Sequence, residues 1–377
     1  MENNNDNKVL NVPHLRFPEF SGEWKKCKLG DLCNVLMCKR ILVSQTNTED
    51  GVPFYKIGTI GSTPDAYISK ELFDDYKVKY NYPRKGEVMI TCAGTVGKCV
   101  VYDGEDAYFQ DSNIVWIDNP TQYISNGFLF HLLSKVDWRK LNSTTIIRIY
   151  NDDLRNLKMS YPRKEEQQKI SHLLSLLDER IATQNKIIED LKKLKSAISE
   201  RLFNAIKGDV VVLEDIGDVV KGKQINGEFL SESGKYYVMN GGIEPSGFYN
   251  DYNVEANTIS ISEGGNSCGY VQFNACPFWS GGHCYTIQNT TDNVKTEYLY
   301  QFLKSKESEI MKLRIGSGLP NIQKKDLAKF KITIPNISEQ KVISAFLSSF
   351  ERKADVEMNF VNLLLEEKQY LLRQMFI

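Results

Sequence analysis

A glycine-containing segment near residue 95 is the first place in this chain where residue types and spacing could support catalysis. Gly97 and Lys98 resemble the end of a phosphate-binding loop, in which backbone N–H groups hold phosphates and the lysine reaches the terminal one. The first glycine of that motif would fall on Cys92, and Cys99 stands where a magnesium-binding serine or threonine is required. The segment therefore predicts no ATP site.

Three further patterns also fail to define an active site. Glu23 and Lys25 have the spacing of a nuclease Glu-x-Lys pair, but no acidic residue on a convincing strand precedes them. An adenine N6-methyltransferase needs two adjacent prolines in its catalytic motif, and this chain has no such pair. The four histidines are scattered: His14, His131, His172 and His283. We expect neither a catalytic centre nor a bound metal or cofactor, and an enzyme with an unrecognised site is the least favoured alternative.

Basic and small polar residues offer a different chemistry, namely contacts to nucleic acid. Lysine and arginine neutralise phosphates, while arginine, amide, hydroxyl and aromatic side chains can contact base edges. The candidates in the first half are Lys77, Lys79, Tyr82, Arg84, Lys85, Thr91, Arg139, Lys140 and Arg148. The candidates in the second half are Lys221, Lys223, Asn240, Asn266, Lys312, Arg314, Ser317, Asn321 and Lys324. Any one of them is more often a solvated surface residue, but clusters in corresponding regions favour binding.

We hypothesise that two basic pairs line a DNA channel. They are Lys312 with Arg314, and Arg139 with Arg148. The net charge is only −1 and a quarter of the residues are charged, so a DNA-binding surface must be local. The polar segment 1–11 predicts a disordered tail and not a secretory signal, and no apolar run could span a bilayer. We expect a cytoplasmic protein without membrane contact, whose eight cysteines are reduced thiols.

Two globular blocks must position these residues. Residues 12–161 contain short runs of β-branched and aromatic residues broken by Gly, Pro, Asn and Asp, which predict strands of a mixed sheet. Ser125 to Lys135 has apolar residues at helical spacing. Residues 209–334 repeat the order of these patterns, so the chain is an internal repeat.

Each block is followed by a long helix, predicted over residues 162–208 and 335–377. A four-three spacing of apolar residues is typical of a coiled-coil seam. The first seam contains Ile170, Leu174, Leu177, Ile181, Ile188, Leu191, Ile198 and Leu202. The second contains Ile343, Leu347, Phe350, Val361, Leu364 and Leu371. Gly208 suits the end of the first helix, and Asn336 with Glu339 has the spacing of a capping box at the start of the second.

Polar residues interrupt both seams at matching places. A shift of 173 positions turns Gln184 into Glu357 and Lys195 into Lys368. Buried polar residues commonly fix the register of a coiled coil. We therefore predict an antiparallel pair with a pseudo-two-fold axis, although surface helices of separate domains, or helices that pair with another molecule, are alternatives.

The predicted fold class is α+β, with two similar mixed α/β domains separated by an antiparallel two-helix coiled coil. A helix of about 44 residues is roughly 65 Å long. Such a pair could hold two domains apart at a fixed distance. DNA suits this arrangement, because one turn of duplex is about 34 to 36 Å.

The chain resembles the specificity subunit of Type I restriction-modification systems over nearly its whole length. The resemblance rests on residues 12–24 with Leu29 and Gly30, and on a proline followed by Glu-Gln at the start of each heptad helix. These prolines and Glu-Gln pairs are Pro162, Glu166, Gln167, Pro335, Glu339 and Gln340. The resemblance implies that the two blocks are target-recognition domains that each read one half of a bipartite, asymmetric DNA site.

The resemblance also implies partners and chemistry outside this chain. Two methyltransferase subunits would dock on the helices, and restriction/translocase subunits would join them. S-adenosylmethionine, ATP and Mg²⁺ would then be bound by the partners, for adenine methylation and for ATP-driven translocation and cleavage. A structural coiled-coil adaptor without DNA specificity is the alternative function.

Overall fold

The computed structural model describes residues 10–141, 148–316, 318 and 320–377. Ser317, a predicted DNA contact, and residues 1–9 of the predicted disordered tail lie outside these ranges. The chain forms two compact units. Unit 1 contains the described residues up to Thr183 together with Phe360–Ile377, and unit 2 contains Gln184–Asn359. Each unit thus contains one block and a part of both long helices, and the predicted domain limits stay predictions.

The helices have the following bounds: α1 Lys70–Lys79, α2 Asn126–Lys135, α3 Asn151–Arg155, α4 Lys164–Ala205, α5 Leu213–Ile216, α6 Thr296–Ser305, α7 Glu307–Met311, α8 Lys324–Ala328 and α9 Ile337–Met375. The strands of unit 1 are β1 Lys25–Lys28, β2 Asn34–Leu36, β3 Thr46–Asn47, β4 Val52–Tyr55, β5 Tyr67–Ile68, β6 Val88–Thr91, β7 Cys99–Val101, β8 Tyr108–Phe109, β9 Ile114–Asp118 and β10 Lys158–Tyr161. The strands of unit 2 are β11 Asp209–Val212, β12 Asp218–Lys221, β13 Tyr236–Met239, β14 Phe248–Tyr249, β15 Thr258–Ser262, β16 Val271–Asn274, β17 Trp279–Ser280, β18 Cys284–Gln288 and β19 Lys331–Ile334.

Corresponding sheets occur in both units, although the sheet with the parallel pair has four strands in unit 1, ordered β3-β5-β4-β8, and three in unit 2, ordered β14-β13-β17. Each has a four-stranded sheet, ordered β2-β9-β6-β7 in unit 1 and β12-β18-β15-β16 in unit 2. Each has an antiparallel pair just before its long helix, β1 with β10 and β11 with β19. Each also has one parallel pair, β4 with β8 and β13 with β17. The internal repeat predicted from the sequence is therefore a repeat of topology.

Burial explains why these runs form central strands. All five residues of β15 are buried, and four of the five are buried in β9 and β18. β9 therefore reads as a nearly continuous apolar run, as expected for a strand covered on both faces, whereas β15 alternates as Thr-Ile-Ser-Ile-Ser although all its residues are buried. In each unit one apolar core packs on the four-stranded sheet and takes residues from the long helices. A second apolar cluster lies elsewhere in each unit.

The two long helices begin two residues after their prolines, at Lys164 and Ile337. Proline has no N–H and disfavours helical geometry in the residue before it, which makes it a natural boundary. The first helix ends at Ala205, three residues before Gly208. Glycine is required at 208 for a reason other than the predicted helix cap, because a Cβ there would collide with the carbonyl group of Ile334.

All the predicted apolar seam positions are buried or half-buried. In unit 2 the Gln184 amide donates to the Glu357 carboxylate, and Lys195 Nζ lies 2.7 Å from Glu351 Oε1. Partner numbers fall along α9 as they rise along α4, so the helices are antiparallel. In unit 1 Lys368 Nζ lies 2.5 Å from Asp178 Oδ1. The predicted α+β class with an antiparallel two-helix coiled coil is confirmed.

The pairing of the polar residues follows the predicted register. Gln184 meets Glu357, which is its own counterpart under the shift of 173. The same shift relates Lys195 to Lys368 and Asp178 to Glu351. The ion pair of Lys195 with Glu351 therefore recurs as the ion pair of Lys368 with Asp178. The two lysines were predicted from the sequence, but their acidic partners were not.

The glutamine of each Glu-Gln pair ties its helix to the block before it. Gln167 is wholly buried, and its Nε2 donates to the carbonyl groups of Tyr123 and Pro162, both at 2.9 Å. Its Oε1 accepts from the Ser125 backbone N–H at 2.7 Å, just before α2. Gln340 repeats the three bonds with Asn293 and Pro335 at 2.8 Å and with the N–H of Lys295 at 2.8 Å.

The preceding glutamates have different roles in the two repeats. Glu166 is wholly buried and accepts two hydrogen bonds from Arg16, at 2.7 and 2.8 Å, and one from Trp24 Nε1 at 3.2 Å. Residues 12–24 and the start of α4 are therefore joined by a direct contact, which gives a physical reason for both being part of the resemblance described from the sequence. Glu339 is exposed, and its N–H donates to Asn336 Oδ1 at 2.9 Å, as the predicted capping box requires. The reciprocal bond differs from the prediction, because Glu339 accepts from the Asn336 side chain and not from its backbone.

Replacing Gln167 by leucine is expected to lower the free energy of unfolding by about 3 kcal/mol, since a buried N–H and two carbonyl groups lose their partners. Gln340→Leu should have a similar effect. Denaturant unfolding measures the change, with the exposed neighbour Gln168→Leu as a control that stays close to wild type. Equal stability of the variant at 167 and its control would show that the three bonds are dispensable.

Candidate nucleic-acid interface

Three ionisable residues of unit 2 meet at one edge of its four-stranded sheet. Lys221 ends β12, Glu263 follows β15, and His283 precedes β18. The strands are antiparallel, with Lys221 opposite Tyr285 and Ser262 opposite Cys284, so the end of β12, the end of β15 and the start of β18 coincide. Topology alone thus brings together residues that are distant in the chain.

Glu263 lies at the centre of this edge. Its Oε1 accepts from Lys221 Nζ at 2.6 Å and from the Tyr285 hydroxyl at 3.1 Å. Its Oε2 lies 3.5 Å from His283 Nδ1. Burial, reinforced by the Glu263 carboxylate, raises the pKa of Tyr285, so its hydroxyl remains a neutral donor. The carboxylate side chain is only 10% exposed, whereas those of Lys221 and His283 are 51% and 64% exposed.

Loops place further polar residues around the same edge. Asn240 Oδ1 accepts from the His283 backbone N–H at 3.3 Å. Asn321 forms backbone bridges with both Gly264 and Ile315. The backbone at Asn321 thereby joins the loop that carries Asn266. Of the sequence-predicted contacts, the structure gathers Lys221, Asn240, Asn266, Arg314 and Asn321 in this region.

The other predicted contacts of unit 2 that the structure describes lie in loops or at the start of a helix. Lys312 follows α7, Lys324 begins α8, and Lys223 lies just beyond β12. The backbone of Lys223 is fixed by the Trp279 indole N–H, which donates to its carbonyl group at 2.9 Å. The region of unit 2 therefore combines lysine, arginine, asparagine and histidine, which are side chains that contact phosphates and base edges.

The corresponding edge of unit 1 is assigned by its hydrogen bonds. Cys92 donates its N–H to the Asn113 carbonyl group at 2.8 Å and accepts from the N–H of Ile149 at 2.9 Å. Glu263 makes the same two bonds with His283, at 2.9 Å, and with Ile322, at 2.8 Å. Cys92 and Asn113 in unit 1 thus stand where unit 2 has Glu263 and His283.

Arg148 lies beside this edge of unit 1. Its Nη2 donates to the Ser112 carbonyl group at 3.2 Å, and its guanidinium lies 5.9 Å from the centre of the Tyr150 ring. Arg139 and Lys140 are exposed and lie close to Asp137, whose carboxylate is 3.3 Å from Lys140 Nζ. The structure does not describe residues 142–147, which connect these predicted contacts.

Two predicted contacts of unit 1 are instead part of its interior. Thr91 is wholly buried, and its hydroxyl donates to the Thr95 carbonyl group. Tyr82 is half-buried, packs against Phe73, and donates its hydroxyl proton to the Ala107 carbonyl group at 2.7 Å. Burial raises the pKa of Tyr82. Neither hydroxyl is available to a base, because the interior of unit 1 already uses both.

The cations near α1 are paired with carboxylates. Lys77 lies 2.9 Å from Asp106, and Lys79 lies 2.5 Å from Asp75. Arg84 lies 2.8 Å from Glu87 and 2.5 Å from Asp118. These pairs neutralise much of the charge that the sequence suggested for phosphate binding. The side chain of Lys85, another predicted contact, lies against Gly104.

Two basic residues that follow β2, Lys39 and Arg40, are not among the contacts predicted from the sequence. Strand register makes Val35 the counterpart of Val219, which makes Lys39 and Arg40 the counterparts of Lys223 and Gln224. Lys39 Nζ lies 5.4 Å from the centre of the exposed Tyr80 ring, in an open pocket of about 490 Å³. The adjacency of Lys39 and Arg40 in the sequence was the available signal.

The two repeated sheets and the antiparallel helices define a duplicated α+β protein built on a coiled coil. A family model described as the Type I restriction modification DNA specificity domain matches residues 21–193 and again residues 207–364. The two matches cover both repeats and most of the chain. This protein therefore belongs to that family, as its resemblance suggested.

Known proteins with similar sequences bear related names. A putative type I restriction enzyme specificity subunit of Haemophilus influenzae is 46% identical over 184 residues, or 49% of this chain and 45% of that protein. This chain thus matches less than half the length of that relative. A putative type I restriction enzyme specificity subunit of Methanocaldococcus jannaschii is 22% identical over 93% of this chain and 92% of its own.

A solved structure shares the fold. The crystal structure of the S subunit of a type I restriction-modification system from M. genitalium superposes with a TM-score of 0.64 at 20% identity. The superposition covers 97% of this chain and 99% of that one. No helix in the described part of our chain is both long and apolar enough to cross a membrane.

Proposed function

We propose that this chain is a DNA-binding specificity subunit that directs a Type I methyltransferase and restriction complex to a bipartite, asymmetric site. The observation that carries the proposal is the duplicated sheet edge, which presents a different set of polar side chains in each unit. To recognise two different half-sites, a protein needs two similar domains that present different side chains to the DNA. The chain itself would be non-catalytic, and S-adenosylmethionine, ATP and Mg²⁺ would be bound by its partners in the cytoplasm.

An exposed apolar face of α9 supports the proposal that two methyltransferase subunits dock on this chain. Exposed apolar residues follow heptad spacing on α9, away from its buried seam. In unit 2 they are Val342, Phe346 and Val356, and in unit 1 they are Phe360, Leu363 and Tyr370. Exposed apolar stripes of this kind mark protein interaction sites. One such stripe in each unit suits one methyltransferase per unit, to which restriction/translocase subunits would attach.

Methylation mapping tests the proposal directly. Deleting the gene for this chain from its host should abolish adenine methylation at one bipartite motif, and restoring the gene should restore it. The purified chain should capture a methyltransferase and enrich a bipartite duplex from a randomised pool. The structural-adaptor alternative predicts self-association without either result, and an unchanged methylation map would contradict the proposed function.

Replacing both Lys312 and Arg314 by alanine is expected to weaken duplex binding on the order of tenfold and to reduce the slope of log affinity against log salt by about 2. The reason is that each lost phosphate contact releases about one counterion fewer. Titration of a duplex at several salt concentrations measures both changes. The exposed pair Lys329 and Lys331, replaced in the same way, is the charge-matched control. An unchanged affinity and slope would remove Lys312 and Arg314 from the DNA channel.

A further inference from the structure

The Glu263 carboxylate has one oxygen that the unit 2 edge leaves without a partner. Its Oε1 is held by Lys221 and Tyr285, but its Oε2 is buried and accepts no hydrogen bond from the described residues. A buried polar atom without a donor costs about 1 to 3 kcal/mol, and more when it is charged. A buried carboxylate oxygen that lacks a donor within the protein therefore indicates that a bound ligand supplies the donor.

His283 alone does not account for this oxygen. Its Nδ1 is 3.5 Å from Oε2, which is longer than a good N–H···O hydrogen bond. The imidazole is mostly exposed, and the backbone N–H of His283 is bonded to Asn240. Because Oε2 is buried, a base can reach it only when the exposed His283 side chain moves aside, so any test must separate the contribution of His283 from that of Glu263.

The surroundings indicate what kind of donor fits. A carboxylate repels phosphate and attracts N–H groups, and the loops beside it carry Asn240, Asn266 and Asn321. In the major groove, cytosine N4 and adenine N6 are the amino groups that bases present, and glutamate is a known acceptor for cytosine N4. In a G·C pair, cytosine N4 lies beside guanine O6, which matches an acceptor on Glu263 beside a donor on Lys221.

We propose that Glu263 determines specificity at one base pair by accepting a hydrogen bond from an exocyclic amino group in the major groove, with Lys221 holding the carboxylate in place. The proposal rests on the proposed function. It applies to the half-site of unit 2 alone, because Cys92 and Asn113 replace Glu263 and His283 at the unit 1 edge and supply no carboxylate.

The experiment uses the full chain and the bipartite duplex that the wild-type chain enriches from a randomised pool. Glu263→Gln keeps the shape of the side chain but replaces one acceptor by an amide donor. We expect the affinity of this variant for the duplex to fall about 5- to 150-fold, and we expect the loss to come from a single base pair of one half-site. Substituting 2-pyrimidinone nucleoside, which lacks the N4 amino group, for the cytosine at that position should weaken wild-type binding and leave Glu263→Gln unaffected. Purine nucleoside in place of adenine gives the second arm, and coupling there would assign the amino group to adenine.

His283→Asn, which installs the residue of the unit 1 edge, is the matched variant. Its binding should still weaken when the amino group is removed from the duplex, and this weakening should still disappear when Glu263 is also replaced by glutamine. If Glu263→Gln binds the native duplex like wild type, or loses affinity equally on every analogue duplex, the proposal is wrong. It is also wrong if the coupling disappears in His283→Asn, because the carboxylate would then act only through the histidine. Failure of the wild-type chain to enrich any duplex would instead contradict the proposed function itself.

Discussion

Replacing Phe376 by alanine is expected to lower the free energy of unfolding of unit 1 by about 4 kcal/mol. The Phe376 ring is 3% exposed and lies 4.8 Å from the centre of the Phe128 ring and 6.5 Å from that of Trp24. Leu15 donates its backbone N–H to the neighbouring Gln374 carbonyl group at 2.9 Å, and Lys135 Nζ donates to that of Phe376 at 2.9 Å. The end of α9 is thus part of the core of unit 1, and alanine would leave a large cavity there.

Phe203 offers the same experiment in unit 2. The shift of 173 positions relates it to Phe376, and its ring packs against Tyr298 and Phe302 at 5.9 and 5.3 Å. Phe203→Ala should therefore destabilise unit 2 by a similar amount. Hydrogen exchange resolved along the chain can assign each loss to its own unit, which a single melting temperature cannot do for a chain with two units.

Ile377→Ala is the control for the first of these variants, because Ile377 is 49% exposed and lies next to Phe376. It should change stability by less than about 0.5 kcal/mol. A loss below about 1 kcal/mol in Phe376→Ala would mean that the end of α9 contributes little to the core. That result would contradict the packing described above.

If the proposed function holds, replacing Phe346 by aspartate is expected to abolish the proposed capture of a methyltransferase subunit by unit 2, while the proposed DNA binding by the isolated chain persists. Phe346 is 46% exposed on the outer stripe of α9 and its ring centre lies 5.4 Å from that of Phe350, so in the free chain the substitution removes this ring contact but buries no carboxylate. In an interface the same carboxylate would be buried without a partner, at a cost of several kcal/mol. Co-purification with the methyltransferase, followed by a duplex titration, separates the two effects.

The adjacent residue provides the control. Ala345 is exposed, and its heptad position differs from those of Val342, Phe346 and Val356. Ala345→Asp adds the same charge one position away and should retain capture. Capture by both variants would remove the stripe from the methyltransferase interface, while loss in both would point to a general effect of charge on the helix.

The sequence by itself determined the elements that depend on local periodicity. Apolar residues at four-three spacing gave the seam, because side chains three and four positions apart lie on one face of a helix. The shift of 173 positions gave the register, and Gln184 does meet Glu357. The α+β class and the duplicated order of strands could also be predicted, because the short apolar runs that form strands, and the Gly, Pro, Asn and Asp residues between them, are local features of the sequence.

Only the tertiary structure decided which distant side chains meet. The partners of Lys195 and Lys368 lie on the other helix, and nothing local marks Glu351 or Asp178. The two Glu-Gln pairs read alike, yet Glu166 is buried under Arg16 whereas Glu339 is an exposed cap.

The candidate interface shows the same limit most clearly. Residue type suggested Lys221 as a contact but did not find Glu263, because antiparallel pairing of β12, β15 and β18 is what joins them. Residue type also suggested Tyr82 and Thr91, although the interior of unit 1 uses both hydroxyls. The residue type determines what a side chain can bind. Burial and the long-range pairing of strands decide whether that side chain is available to bind it.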